Sequence, residues 1–491
     1  MTGSLTCEQM RELEARVFKN GATPEQLMDI AGAGIARAIL RRYPVAGNAI
    51  ACLGTGNNGG DALVALRHLA SAGWKIGIRC EHPETKLRAL PRKKWRELGD
   101  CPVNEHVEKH MTCRPLILLD GLLGIGASGP LREPLNDIAS WMNSMRNENG
   151  ADIIAMDIPS GMNGDTGEAY PGAVMADLTL TIGVAKCGLL APGAANYTGA
   201  IESVPVDGLS APSDGSVCLS DLFSVAPLLP RRPHDFHKGN AGRVGIVAGS
   251  RGMLGAAVLA STGALRSGAG LVTLFVDDAI YSTMAPLLPP EVMVKPINDY
   301  AEILNENLDV LVIGPGLGTM SDSLFEVISE FNKHLVLDAD ALNSLARVGG
   351  DDLIRPNMIL TPHPGEMARL FPQSKNLSRQ ETVEAFIAKH PDTTLLLKGA
   401  RTLIKRGSSP IFVNGTGHAG MASGGQGDML TGVIAGLLGQ NLEPLAATRV
   451  GAWLCGRAAE MVVSHGSQSI ESLTASDVGA WLGMAFRELR C

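Results

Sequence analysis

The sequence predicts an α/β protein of two domains, each built on a mainly parallel sheet, and three observations carry that expectation. Short apolar runs alternate with amphipathic stretches of ten or more residues, the pattern of right-handed strand–helix–strand units. Between about Asp207 and Arg232 the alternation gives way to a stretch rich in Ser, Pro and Gly, the best linker candidate. The 491 residues allow two to four domains, and 58 glycines against 5 Trp, 5 Tyr and 10 Phe point to tight turns and close backbone approaches.

Read in order, CEQMRELEARVFKN and PEQLMDIAGAGIARAILRRY repeat apolar residues at helical spacing, with Thr23 and Pro24 as a cap and first-turn pair. NAIACLG follows as a buried strand, DALVALRHLASAG as a helix, KIGIRC and PLILLD as strands, PLNDIASWMNSM as a helix, and ADIIAMDI and ADLTLTIG as strands. Beyond the linker the alternation restarts with RVGIVAG, AAVLASTGALRSG, LVTLFVD, DVLVIGPG, HLVLDAD, MILTPHPGEMARLF and TLLLKG. A β-rich pair, TLIKRG and PIFVNG, precedes a Gly-studded stretch that runs into MLTGVIAGLLGQ and a helical C-terminus. The domains are expected at residues 1–215 and 222–491.

Composition narrows the function classes. The 42 basic and 50 acidic side chains leave a net charge of −8, which argues against a nucleic-acid partner. No run of 18 apolar residues predicts a membrane span, and charges occupy the N-terminus where a signal peptide would need apolar residues, so a cytoplasmic protein is expected. Nine scattered cysteines without a CxxC fit reduced thiols. The spacing of Cys101, His106, His110 and Cys113 fits no common zinc class, His234 and His237 read as an entry to the second domain, and the basic run LRALPRKKWREL reads as a solvated helix face.

Three segments of the first half could carry chemistry. LGTGNNGGDALVAL, residues 53–66, lies between a strand and a helix; its glycines admit a ligand close to the backbone, and the helix start offers unpaired amides. It is neither a Walker A loop nor a Rossmann fingerprint, and the plainer alternative is a turn with Asp61 as helix cap. LLDGLLGIGASGP and MDIPSGMNGDTG end strands at Asp120 and Asp157, the side on which open α/β sheets place ligands. Converging oxygens from Asn58, Asp120 and Ser160 would suit a hard cation, leaving Asp157 free for proton transfer.

These segments resemble the NAD(P)H-hydrate epimerase domain, the YjeF N-terminal family. The resemblance implies a Rossmann-like three-layer sandwich that interconverts the R and S hydrates of NADH and NADPH. Carried over, it implies substrate contacts from Asn57, Asn58, Gly59, Gly60 and Asp61, and from Gly124, Ile125, Gly126, Ala127, Ser128, Gly129 and Pro130. It further implies potassium at Asn58, Asp120 and Ser160, with Asp157 contacting substrate as the acid/base. The chain reads GGDA where the family usually has GGDG, which costs little if Ala62 has a negative φ.

In the second half, NGTGHAGMASGGQGDMLTGVIAGLLGQ holds nine glycines between Gly415 and Gly439, and GGQGD opens an apolar helix. Glycine amides at a helix start form an oxyanion pocket for a transferring phosphoryl group, with Asp428 placed to take a proton from a hydroxyl. The plainer alternative is a flexible linker with Asp428 as cap. The arrangement matches the GxGD motif of ribokinase-like kinases. With LDADALN, LLLKGARTLI and ILTPHPGEMARL, it resembles the ADP- or ATP-dependent NAD(P)H-hydrate dehydratase domain. That resemblance implies a ribokinase-like α/β domain with dinucleotide contacts at Ala256, Gly316, His363 and Asp428. Adenine-nucleotide contacts would come from Lys398, Gly399, Ala400, Arg401, Thr402 and Gly427, and Glu366 would stand near magnesium, through water. Gly415, His418, Ala419 and Gln426 depart from the family loop, and none replaces the catalytic carboxylate.

The expected function is therefore repair of hydrated NADH and NADPH, by epimerisation and then dehydration of the S form with ADP as cosubstrate, in a homo-oligomer. The alternative is a vitamin-precursor kinase of the ribokinase-like superfamily with an accessory N-terminal domain, and a third reading is a non-catalytic nucleotide binder. The GTGNNGGD segment opposes the second reading; Asp120, Asp157 and Asp428 oppose the third.

Overall fold

The computed structural model describes residues 3–104, 113–127, 129–210, 216–466 and 468–490, and the chain divides into two compact units, Met1–Leu219 and Ser220–Cys491. Eight cysteines among the described residues are free thiols, and no described helix is long and apolar enough to cross a membrane.

In the first unit, β1 (Asn48–Leu53), β2 (Lys75–Arg79), β3 (Leu116–Gly121), β4 (Asp152–Met156), β5 (Leu178–Ile182) and β6 (Ala200–Val204) form a sheet in the order β2-β1-β3-β4-β5-β6. Every pairing is parallel. Because helices cover both faces, β1 and β3 are buried along their whole length and read as nearly unbroken apolar runs. Ile35, Ile39, Leu63 and Leu66, from helices α2 (Pro24–Arg42) and α3 (Asn57–Ser71), pack with Leu53 and Leu119 on one face. On the other, Ile138 and Met142 of α5 (Leu135–Asn149) pack with Ile50, Leu118 and Ile153. Helix α1 (Cys7–Lys19) buries Met10, Leu13 and Val17 against Val184, Val206 and Leu209. Capping boxes fix the starts of α1 and α2, Thr6 with Gln9 and Thr23 with Gln26.

The strand order reverses between β1 and β3, and a crevice opens beyond the C-terminal ends of strands at such a point. Leu53 pairs with Gly121, and Asp120 with Ala155, so the loops after β1, β3 and β4 leave the sheet side by side. Register thus brings three sequence-distant motifs together.

In the second unit, β8 (Arg243–Val247), β9 (Leu271–Asp277), β10 (Val292–Ile297), β11 (Val310–Ile313), β12 (His334–Leu337), β13 (Met358–Leu360) and β14 (Thr394–Leu397) pair in parallel. The antiparallel β15 (Leu403–Arg406) and β16 (Ile411–Asn414) extend the sheet, and β7 (Val217–Ser220), which contains the division between units, lies at its edge. Helix α8 (Gln426–Gly439) crosses α6 (Leu254–Arg266) with backbones in contact: a Cβ at Gly432 would lie 2.0 Å from the Ala260 carbonyl oxygen, and one at Gly263 2.4 Å from that of Met429. These glycines serve helix packing.

Five elements differ from the sequence expectation. The stretch read as a linker contains β7 and a helical turn, Leu222–Val225, started by an Asp221 capping box. Strands β6 and β10 escape periodicity because β6 carries Glu202 among apolar neighbours, and β10 is a partly exposed edge strand. The basic run forms α4 (Ala89–Leu98), but its Lys94 is buried, with its ammonium on Glu25 and Asp29 at 2.9 and 2.8 Å. That helix face is docked on α2 carboxylates rather than solvated.

Candidate active sites

At the crevice of the first unit lies a cavity of about 420 Å³. It is lined by Asn57, Asn58 and Asp61 at the start of α3, by Gly124, Ile125, Gly126 and Ala127 after β3, and by Asp157 after β4. Arg11, Glu14 and Phe18 of α1 and Lys186 also line it. Gly59 and Gly60 are not part of this lining. A Cβ at Gly60 would lie 2.4 Å from Met28 Cε, so glycine there lets α3 approach α2. Gly129, at φ +87°, and the exposed Pro130 also lie off the cavity; Ser128, His106 and His110 fall outside the described residues.

Asp157 sits in the left-handed region at φ +71°, a conformation uncommon outside glycine and found at functional turns. It is not the free carboxylate expected from sequence. Its Oδ1 accepts the Ile182 amide at 3.0 Å and the Thr181 hydroxyl at 3.4 Å, and it forms an ion pair with Lys186. Lys186 is itself buried and donates to the Ile182 carbonyl at 3.0 Å. The contact sets a buried ammonium against the Asp157 carboxyl at the cavity. Asp61 differs: its carboxyl is pushed well above the usual range by burial, and then by Asp157 and Glu14. The cap of α3 is Gly56, so Asp61 is an interior helix residue. Ala62 shares that helical backbone and is fully buried, so the departure from glycine is accommodated.

Beneath the cavity, Asn58, Asp120 and Ser160 converge. Asp120 is fully buried; its two oxygens accept the Ser160 hydroxyl and amide, each at 2.7 Å. Burial pushes its carboxyl up to about 6, against the pull of the Ser160 and Leu122 donors. Asn58 Nδ2 donates to the Leu123 carbonyl at 2.8 Å, and the Leu123 amide donates to Ser160 Oγ at 2.9 Å. Among the described residues no cationic side chain forms an ion pair with Asp120. One carboxylate, one hydroxyl, amide and carbonyl oxygens, and an unneutralised buried charge fit a large monovalent cation.

The second unit gathers its charged groups at the start of α8. Gly425, at φ +89°, is the N-cap; Asp428 is the third helical residue, and no side chain caps the helix. The carboxyl of Asp428 is pushed up to about 6, by burial first and then by Asp338, with Lys398 opposing. Asp338 is buried after β12 and accepts Lys398 Nζ and the Thr431 hydroxyl, both at 2.7 Å. Burial would raise its pKa, yet Lys398 and the hydroxyl donors hold it below the ordinary value. Lys398, expected from the resemblance at the adenine nucleotide, therefore has its ammonium in the carboxylate cluster, 3.9 Å from Glu366. Gly427 is beside it: a Cβ there would lie 3.2 Å from Lys398 Nζ.

Glu366 and the exposed His363 form a capping box on α7 (Pro364–Leu370): the His363 amide donates to Glu366 Oε2 at 2.7 Å, and His363 Nδ1 accepts the Gly365 amide at 2.9 Å. Ala256 and Gly316 are adjacent, since a Cβ at Gly316 would lie 2.8 Å from that of Ala256. Gly399, Ala400, Arg401 and Thr402 form the β14–β15 loop, where Thr402 Oγ1 donates to the Gly399 carbonyl at 3.1 Å and burial lowers the Arg401 guanidinium to about 10. Among the described residues no three His, Cys, Asp or Glu side chains form a metal centre by themselves.

Comparison with known proteins gives two family matches, one per unit: the YjeF-related protein N-terminus over residues 24–188, and NAD(P)H-hydrate dehydratase over residues 244–478. The bifunctional NAD(P)H-hydrate repair enzyme Nnr of Coxiella burnetii is 35% identical over 476 residues, covering 94% of this chain and 95% of that protein. The chain belongs to the bifunctional NAD(P)H-hydrate repair enzymes. The repair enzyme of Escherichia coli is also 35% identical, over 462 residues, covering 90% of this chain and 86% of its own. Among solved structures, the ADP/ATP-dependent NAD(P)H-hydrate dehydratase of Bacillus subtilis, crystallised with ATP and magnesium, is 29% identical. It matches 55% of this chain and 98% of its own with a TM-score of 0.49. Full-length relatives with both units favour a repair enzyme over a kinase with an accessory domain.

Sequence reasoning missed Lys186, Asp338 and Glu14. The signal for Lys186 was a lone charge among the apolar residues after β5, and for Asp338 a carboxylate ending β12.

Proposed function

We infer that this chain repairs hydrated nicotinamide dinucleotides in two steps: the first unit interconverts the R and S hydrates of NADH and NADPH, and the second dehydrates the S form. The observation that carries this reading is identity along the whole chain with two-domain repair enzymes. In the first unit we assign Asp157, paired with Lys186, as the base, with Asn57, Asn58, Asp61 and Gly124 to Ala127 around the substrate. Asn58, Asp120 and Ser160 would hold potassium, which supplies a fixed positive charge under the glycine loop.

In the second unit we assign Asp428 as the base that takes the proton of the C6 hydroxyl. The hydroxyl oxygen attacks the terminal phosphoryl of ADP, releasing AMP. Phosphate then departs from C6 as a proton leaves C5, forming the ring double bond. Phosphorylation turns hydroxide, a poor leaving group, into a good one. The amides at the start of α8 face charge developing on the phosphoryl oxygens. Magnesium, beside Glu366, would neutralise nucleotide phosphate charge. Ala256, Gly316 and His363 are assigned to the dinucleotide, and Lys398 to Thr402 with Gly427 to the adenine nucleotide. The cytosol is the compartment in which the free thiols would stay reduced.

The test is incubation of both epimers of chemically hydrated NADH with the protein, ADP and magnesium, following the return of NADH absorbance. Complete conversion is expected; conversion that stops near half removes the epimerase assignment, and none removes the dehydratase assignment and with it the two-step repair. Asp157→Asn should produce that half-way stop.

A further inference from the structure

Epimerisation at a carbon carrying both a hydroxyl and the ring nitrogen requires a bond at that carbon to break and re-form on the other face. Ring opening accomplishes this. A base takes the hydroxyl proton, the O–H electron pair becomes the carbonyl π bond, the C6–N1 bond breaks, and N1 receives a proton. After rotation about C5–C6 the same transfers run in reverse. Opening therefore needs an acid as well as a base, and environments that push two pKa values apart mark such a pair. The argument rests on the assignment of the first unit as the epimerase.

We propose that Glu14, on the first helix, is the second proton-transfer residue of this cavity, giving a proton to the ring nitrogen while Asp157 takes one from the hydroxyl. Both side chains line the cavity, and they arrive on different elements, α1 and the loop after β4. Arg11 and Phe18, three before and four after Glu14, share its face of the helix and line the cavity too. Arg11 Nη2 donates to the Ile125 carbonyl at 2.9 Å and so ties that face to the glycine loop. Among the cationic lining groups, Arg11 and Arg88 do not give up protons, and Lys186 is committed to Asp157 and the Ile182 carbonyl; the remaining carboxyl, Asp61, belongs to the buried interior of α3, whereas Glu14 is only half-buried.

Four charged groups act on Glu14. Burial raises its carboxyl, Asp157 raises it further, and Lys186 and Arg11 oppose; Asp61, from α3, is coupled to both Glu14 and Asp157. Asp157 is held in an ion pair with Lys186, whereas Glu14 and Asp61 make no such pair among the described residues and are displaced toward the protonated form, so the carboxyls of one cavity stand in unlike surroundings.

The experiment follows epimer exchange in the full-length protein without ADP, by chromatographic separation of the R and S hydrates from pH 6 to 9. Dehydration of the S epimer with ADP, in the same preparation, reports on the second unit. Glu14→Gln is expected to lower the exchange kcat about 100-fold with KM nearly unchanged, to change the pH profile of exchange, and to leave dehydration intact. Glu14→Asp should recover about tenfold of that loss; if Glu14→Gln lowers the melting temperature, this carboxyl-retaining variant carries the test, and failure to recover counts against the proposal. Exchange by Glu14→Gln within threefold of the unaltered protein, or a loss confined to KM, would overturn it. Asp157→Asn separates the levels: full exchange in that variant sinks the reading of the cavity itself, while loss in Asp157→Asn but not in Glu14→Gln sinks only the role of Glu14.

Discussion

Replacing Asp428 with Asn should abolish dehydration and yet make the second unit more stable at pH 8. The carboxyl of Asp428 is raised from 3.8 to about 6, chiefly by burial and by Asp338. At 1.36 kcal/mol per pH unit, that difference corresponds to about 3 kcal/mol. For the sign, a carboxyl raised in the folded state favours folding fully below the unfolded pKa of 3.8. That contribution is lost as pH rises through about 6, because the folded chain keeps a proton that the unfolded chain has released. Above pH 6 the full cost of holding a half-buried carboxylate near Asp338 remains, and the neutral amide avoids it. The variant should therefore melt about 6 °C higher at pH 8, at about 2 °C per kcal/mol for a domain of this size, with the advantage vanishing near pH 4. Calorimetry between pH 4 and 8, paired with NADH recovery from the S hydrate, measures both halves. A variant no more stable at pH 8, or one whose advantage grows as pH falls, would refute the reasoning.

Two further outcomes are expected. Gly432→Ala places a methyl 2.0 Å from the Ala260 carbonyl oxygen; forcing the α6–α8 crossing apart should cost about 2 kcal/mol or more by urea unfolding and lower dehydration while epimer exchange continues. Potassium chloride should raise the melting temperature of the first unit above its value in choline chloride, and Asp120→Ala should remove that response; an equal response in the variant would exclude Asp120 as a ligand.

The sheets were legible because fully buried parallel strands leave continuous apolar runs, as in NAIACL of β1. Their motifs were legible because a glycine cluster at a strand end has few structural explanations. What escaped depends on pairing across the fold. Lys186 acquires meaning only when β5 lies beside β4 and delivers the ammonium to Asp157, and Lys398 only when β14 is carried to within reach of Asp338 after β12. Gly59 and Gly60 look identical in sequence to ligand-facing glycines, yet Gly60 answers to Met28 on a neighbouring helix. Glu14 sat in a helix read for its apolar stripe, while its own stripe of Arg11, Glu14 and Phe18 faces the cavity.

The cavity of the first unit draws on residues from Arg11 to Leu209, nearly the full span of that unit. During synthesis on the ribosome, the helix bearing Arg11 and Glu14 emerges among the first segments, but its packing partners Val206 and Leu209 emerge almost two hundred residues later. Closure of so long a loop is among the late events of folding. A nascent or truncated first unit thus has its glycine loops long before it has a closed pocket, and the charged groups that line the pocket come together only once the domain is whole.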